Sequence, residues 1–220
     1  MSKQRRFTDN ERTKRLQGFL ADGFHDYIAA RVLLRTRLPK QGAILSSTAI
    51  EKCFKAILAF GGNESPGHLK TAHWNAVENF DPELFGELDL EFLKLNQKAY
   101  GLRYTDSVPV DFNLIIASRE FLAELDTTLC AIFRRFQVEQ NGKRQQMPFE
   151  AALAARDERL VRENHALSGQ DKNAFMEEKT QTIYEVRNDP KLGLIEVIYD
   201  TTPESEFKRA GFLREALIPT

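Results

Sequence analysis

At 220 residues the chain is long enough to bury one substantial core. Its 42% hydrophobic and 29% charged content is ordinary for a soluble globular protein. A formal net charge of -1 excludes a surface wholly committed to nucleic acid or anionic lipid, though not a local basic patch.

No apolar run approaches the ~20 residues that span a membrane. Both cysteines, Cys53 and Cys130, sit inside apolar helical patterns, as small buried hydrophobes do in a reducing compartment. Lys3-Gln4-Arg5-Arg6-Phe7 is basic but lacks the apolar stretch of a secretory signal. The expected location is therefore cytoplasmic.

Residues 1–15 form a basic N-terminal arm, either a solvated tail or a segment touching phosphates. Thr8-Asp9-Asn10-Glu11 has capping-box form. A first long helix follows to about Leu34, with Phe24, Ile28 and Val32 on one face and Gly23 as a point of weakness. Leu38 to Gly42 reads as a short turn, which makes the second helix antiparallel to the first.

The second helix, Ser46 to Phe60, carries Ile50, Phe54, Ile57 and Leu58 on its core face and stops at Gly61-Gly62. Its other stripe holds Thr48, Lys52 and Lys55. After a Gly-rich loop, His68 to Phe80 predicts a short helix. Asp81-Pro82-Glu83 has the chemistry of a helix start, and Phe85, Leu88, Phe92, Leu95 and Ala99 continue at bundle spacing to Gly101. Asp111 is placed as the cap of a long helix carrying Ile115, Leu122, Leu125, Leu129, Ile132 and Phe136. The fold class expected is mainly α: an antiparallel helical bundle of four long helices plus one short one over residues 16–137.

A polar linker at 138–148 separates the bundle from a C-terminal α+β extension at 149–220. Phe149 to Asn164 predicts a charged helix. Gln181 to Arg187 and Leu194 to Tyr199 are rich in β-branched and aromatic residues around Asn188-Asp189-Pro190-Lys191, which predicts a β-hairpin. Pro203 to Leu217, with Phe207, Phe212 and Leu213, predicts a final amphipathic helix. A lone hairpin is not independently stable, so this extension must pack on the bundle, on its own helices or on a partner.

The order of motifs resembles the HEPN family (higher eukaryotes and prokaryotes nucleotide-binding domain) over residues ~20–136. The residues that carry the resemblance are Ala29-Ala30-Arg31-Val32-Leu33-Leu34, then Ala49-Ile50-Glu51-Lys52-Cys53-Phe54-Lys55-Ala56-Ile57-Leu58, then His68-Leu69, then Tyr100-Gly101-Leu102-Arg103-Tyr104-Thr105-Asp106. The resemblance implies a helical bundle, often a homodimer. It implies binding of a nucleotide or RNA, metal-free RNA cleavage, or pairing with a nucleotidyltransferase in a toxin–antitoxin system. Catalytic members resemble one another in an Arg-x4-6-His motif. Here Arg103 has no such histidine; the formal match is Arg159 to His165, beyond the bundle.

Candidate ligand-binding residues follow. Arg103 offers a guanidinium fork for phosphate, and Tyr100 and Tyr104 offer rings for a base. The alternative is that Arg103 pairs with Asp106 to hold the junction while Tyr104 fills the core. Lys52 and Lys55 either contact phosphate or form a solvated face, with Glu51 and Lys55 as an i,i+4 ion pair. His68 is either a ligand group or a solvent-facing residue at a helix start. The second and fourth long helices are expected to flank the basic groove. Arg159 and His165 are the candidates for metal-free ribonuclease chemistry, unless a site is assembled across a dimer. His68 and His73 lack the spacing and companions of a metal site, and there is no phosphate loop or dinucleotide fingerprint, so no metal or cofactor is expected.

Overall fold

Two long helices at the start of the chain set the frame. The computed structural model describes residues 5–7, 11–60, 68, 71–140, 142–177 and 180–202. A short strand β1 (Arg5–Phe7) precedes helix α1 (Glu11–Arg35), so the basic N-terminal segment is not a tail throughout: it contains paired backbone and a first helical turn. Three residues separate α1 from α2 (Pro39–Phe60), whose Pro39 takes the first helical position where a missing N–H costs nothing. α1 packs along α2 more extensively than any other two elements.

Gly23 does not break α1. A Cβ there would lie 2.9 Å from Cys53 Sγ and 3.2 Å from the Ala49 carbonyl oxygen, so the glycine allows α1 and α2 to approach closely.

Helix α3 (Thr71–Phe80) leads to α4 (Pro82–Gly86) and α5 (Leu90–Tyr100). The predicted single helix from Asp81 is thus two. Asp89 accepts hydrogen bonds from the Glu91 and Phe92 amides and caps the start of a second helix, while Leu88, Phe92, Leu95 and Ala99 still reach the core. Asp81 caps α4 through the Leu84 amide and also takes Arg135 in a two-pronged ion pair, with both N···O distances 2.7 Å.

After two 3-10 turns the chain enters strand β2 (Asn113–Ala117) and only then helix α6 (Ser118–Arg135). The long helix predicted from Asp111 therefore begins seven positions later. Asp111 is held at φ +65, in the left-handed region, and donates its amide to the Asn188 carbonyl instead of capping a helix. Asn113 to Ala117 pairs with strand β5, described below.

β3 (Phe136–Gln140) and β4 (Lys143–Gln145) form a small hairpin inside the expected linker, and β1 joins β3 in parallel, with Arg5 opposite Phe136. The expected charged helix from Phe149 to Asn164 is divided among α7 (Pro148–Ala154), α8 (Glu158–Val161) and the lead into α9 (His165–Ser168). Arg156 and Glu163 adopt positive φ between them, which stops each helix after about two turns or fewer. Helix α10 (Lys172–Glu177) follows.

The predicted hairpin is present as β5 (Thr182–Asp189) and β6 (Gly193–Asp200), paired without interruption from Thr182↔Asp200 to Asp189↔Gly193. It is not isolated. β2 adds antiparallel to β5, with Ile115 opposite Glu185, giving a three-stranded sheet in the order β2-β5-β6. The predicted final helix lies outside the described residues.

One apolar core joins the bundle and the extension. Phe24, Phe54, Phe92 and Phe121 share it with Phe149, Leu160, Phe175, Tyr184 and Val186. Phe133 stacks on Phe149 at 5.2 Å, and Phe24 meets both rings edge-on at 5.7 and 6.2 Å. The chain is mainly helical with small sheets, and no described helix is long and apolar enough to cross a membrane.

Inside that core lies a fully buried Arg31. It pairs with Asp126 on α6, donates Nε to the Arg159 carbonyl at 3.0 Å and donates Nη2 to the Arg162 carbonyl at 2.6 Å. Replacing Arg31 with Ala strands the Asp126 carboxylate and is expected to cost about 3–5 kcal/mol in urea unfolding. The double change Arg31→Met with Asp126→Leu should lose less than either Ala single variant, because no buried charge is left alone.

Candidate functional site

Helix α2 turns its core face inward and leaves Glu51 and Lys55 one turn apart at its edge. Glu51 is only 7% exposed, and its Oε1 accepts from Lys55 Nζ at 2.6 Å. Its Oε2 lies 3.3 Å from His68 Nδ1. His68 Nε2 in turn lies 2.7 Å from the Tyr100 hydroxyl, and Arg103 Nη1 donates to that same hydroxyl at 2.8 Å.

A guanidinium has no acceptor, so Tyr100 Oη accepts from Arg103. With a neutral His68 whose proton is on Nδ1, facing Glu51, Tyr100 donates its own proton to Nε2; a protonated His68 donates to both partners. The order hydroxyl–imidazole–carboxylate is the arrangement in which a base is oriented to take a proton from a hydroxyl. The His68 and Tyr100 rings also lie against one another, with centroids 4.1 Å apart.

Beyond Tyr100 the chain leaves α5 through the 3-10 turn Gly101–Arg103, then extends at Tyr104. Arg103 sits 5.1 Å from the Tyr100 ring centroid and 5.9 Å from that of Tyr104. Tyr104 is 62% exposed, so it does not fill the core. Within the hydrogen-bonded chain, two cations, Lys55 and Arg103, meet one carboxylate, Glu51. The result is a small, positively biased surface edged by aromatic rings.

The structure thus gathers Lys55, His68, Tyr100, Arg103 and Tyr104. It does not add Lys52, which turns to α1 and pairs with Asp26 at 2.8 Å. Asp106 stands exposed on the next turn and makes no ion pair with Arg103 among the described residues. α2, His68 from the connection between α2 and α3, and the end of α5 with the turn after it supply the cluster; α6, expected to flank it, contributes none of these side chains. The residue that sequence reasoning passed over is Glu51, seen there only as the ion-pair partner of Lys55. The spacing within α2 was visible, but the approach of His68 from 17 positions away was not.

Arg159 and His165 are held in different settings. Arg159 is exposed, and its guanidinium lies 2.7 Å from Asp157, whose carboxyl it holds below the usual range. His165 is buried, with Nε2 3.0 Å from the Ala123 carbonyl and 3.2 Å from Thr127 Oγ1. A nitrogen that donates to a carbonyl has no lone pair to serve as a base. His165 lines a cleft of roughly 490 Å³ together with Thr127, Cys130, Arg134 and Arg135, and Arg159 is not part of that lining. No group of three or more metal-ligating side chains occurs among the described residues.

No protein-family model matches this chain, and comparisons with curated proteins and with solved structures give no significant match.

The Cys130 thiol is pushed up to about 11 by burial and by the nearby Asp126 charge, and Cys53 is raised further by burial and by the Asp26 charge. Neither is expected to react with a disulfide reagent at pH 8 in the folded protein, and both should react in urea, as a colorimetric thiol count measures.

Proposed function

We propose that the protein binds RNA or a nucleotide as a HEPN-type bundle, at the surface formed by Lys55, His68, Tyr100, Arg103 and Tyr104. The observation that carries this reading is the Arg103–Tyr100–His68–Glu51 chain, which holds a guanidinium and two aromatic rings at one exposed edge. A phosphate suits the free edge of the Arg103 fork, and a base suits the exposed face of Tyr104. The resemblance adds support because its second-helix motif, its His68-Leu69 pair and its Tyr100-to-Asp106 junction supply these residues.

Binding is read by fluorescence anisotropy of a labelled single-stranded oligoribonucleotide. Arg103→Ala should weaken it about tenfold or more, since a charge-assisted hydrogen bond contributes roughly 1.5–3 kcal/mol. Tyr104→Ala should weaken it through lost stacking while Tyr104→Phe does not, and affinity should fall steeply with salt. Unchanged binding in Arg103→Ala removes this site.

A second reading, RNA cleavage without a metal, is favoured at the same place by the hydroxyl–imidazole–carboxylate order of Tyr100, His68 and Glu51. The positions of Arg159 and His165 do not favour it there. In EDTA, His68→Ala should abolish cleavage while retaining Arg103-dependent binding, and His165→Ala should still cleave. Protein that binds RNA but leaves it intact eliminates the cleavage reading and preserves the first.

The resemblance also implies a nucleotidyltransferase partner, which no observation on the described residues favours. The C-terminal extension shares the common core. Removing residues 140–220 would strip Phe149, Leu160, Phe175, Tyr184 and Val186 from that core.

A further inference from the structure

Strand β6 is the last in the order β2-β5-β6, so among the described residues its outer edge faces no strand. Soluble proteins protect such an edge with Pro, charged side chains (above all Lys), a bulge or a very short strand. Of these β6 has only Glu196 and Asp200. It runs for 8 residues, Gly-Leu-Ile-Glu-Val-Ile-Tyr-Asp, and pairs with β5 at every position. It also displays apolar surface, with Val197 39% and Ile198 52% exposed.

The charges on β6 are already matched within its own chain. Glu196 pairs with Lys40 and accepts from Tyr184 Oη at 2.7 Å, and Asp200 pairs with Arg37. Burial pushes the Glu196 carboxyl up, but Lys40 and Tyr184 outweigh it and hold it below its usual range. A second strand can therefore approach without meeting uncompensated charge.

We infer that β6 pairs antiparallel with β6 of a second copy of this chain, about a two-fold axis at Val197, joining two three-stranded sheets into one. A two-fold axis normal to the sheet keeps each face on its own side, so the residue at the axis meets itself. With Val197 there, Val197 meets the partner's Val197, Ile195 meets the partner's Tyr199, and Glu196 meets the partner's Ile198. No like charges oppose one another. An axis at Glu196 sets two carboxylates face to face, and an axis at Ile198 sets Glu196 against the partner's Asp200, both destabilising. The self-complementary register selects a second copy over an unrelated strand. It rests on the sheet alone and is independent of the proposed ligand site.

Light scattering on a sizing column reads the mass directly. Wild-type protein should run as a dimer, twice the 25.2 kDa chain. Val197→Lys and Val197→Glu each place like charges at the axis and should be monomeric; Lys at this position faces Glu185 on β5, so Val197→Lys should keep the wild-type far-UV circular dichroism. An equimolar mixture of the two variants should recover the dimer, because Lys then faces Glu. A monomeric wild type, single variants that stay dimeric, or folded variants that fail to associate when mixed would each overturn the inference.

Discussion

A charged guanidinium with no exposure to solvent is a demanding thing to build into a protein, and Arg31 is one. Removing such a group from water costs several kcal/mol unless it is paired and its other donors are satisfied. Asp126 supplies the counter-charge from α6, and the carbonyls of Arg159 and Arg162 take the remaining donors. Tyr27 Oη donates to Asp126 at 2.7 Å, and Asn164 Nδ2 reaches Tyr27 Oη at 3.1 Å. Burial works against the Arg31 charge, but Asp126 outweighs it and holds the group cationic. Three separated stretches of chain must be in place at once for this centre to exist. The residues after the bundle are therefore a condition of the bundle's own interior.

That requirement explains the irregular path from Phe149 to Ser168. A continuous helix would carry Arg159 and Arg162 past the guanidinium with their carbonyls engaged in helical hydrogen bonds. Short helices with positive φ at Arg156 and Glu163 instead release those carbonyls to Arg31. Arg35 adds a parallel link to Glu163 at 2.9 Å. At the candidate site, buried Glu51 on α2 meets His68, which in turn meets Tyr100.

Much of the architecture was legible in the sequence because it is written in local patterns. The spacing of Phe24 and Ile28, the apolar face of α2 and the turn residues after Arg187 each identify an element without reference to distant chain. Asn113 to Ala117 was misread because a short apolar run fits a buried helix and a buried strand equally well, and only the partner β5 decides between them. The split at Asp89 was hidden because the apolar spacing continues across it. At the site, Lys55, Tyr100 and Arg103 were visible as residue types, whereas Glu51 looked like ordinary helix-surface chemistry. Its role arises from a meeting with His68 that no local pattern encodes. In sequence Lys52 and Lys55 shared one stripe of α2; Asp26 on a neighbouring helix takes Lys52 away from the site.

The pairing of β1 with β3 brings Arg5 beside Phe136, and β2 reaches across to β5 to set Asn113 beside Arg187. These contacts close very long loops, whereas α1 and α2 meet across a three-residue turn. Loop closure must precede the contacts that reward it, so the α1–α2 pair can form while the chain is still being made, and both sheets must wait. Synthesis passes Asp126 before the carbonyls that complete Arg31 have emerged. For that interval the Arg31–Asp126 pair is open to water, and that part of the interior is dry only once the residues around Arg159 and Arg162 have been made.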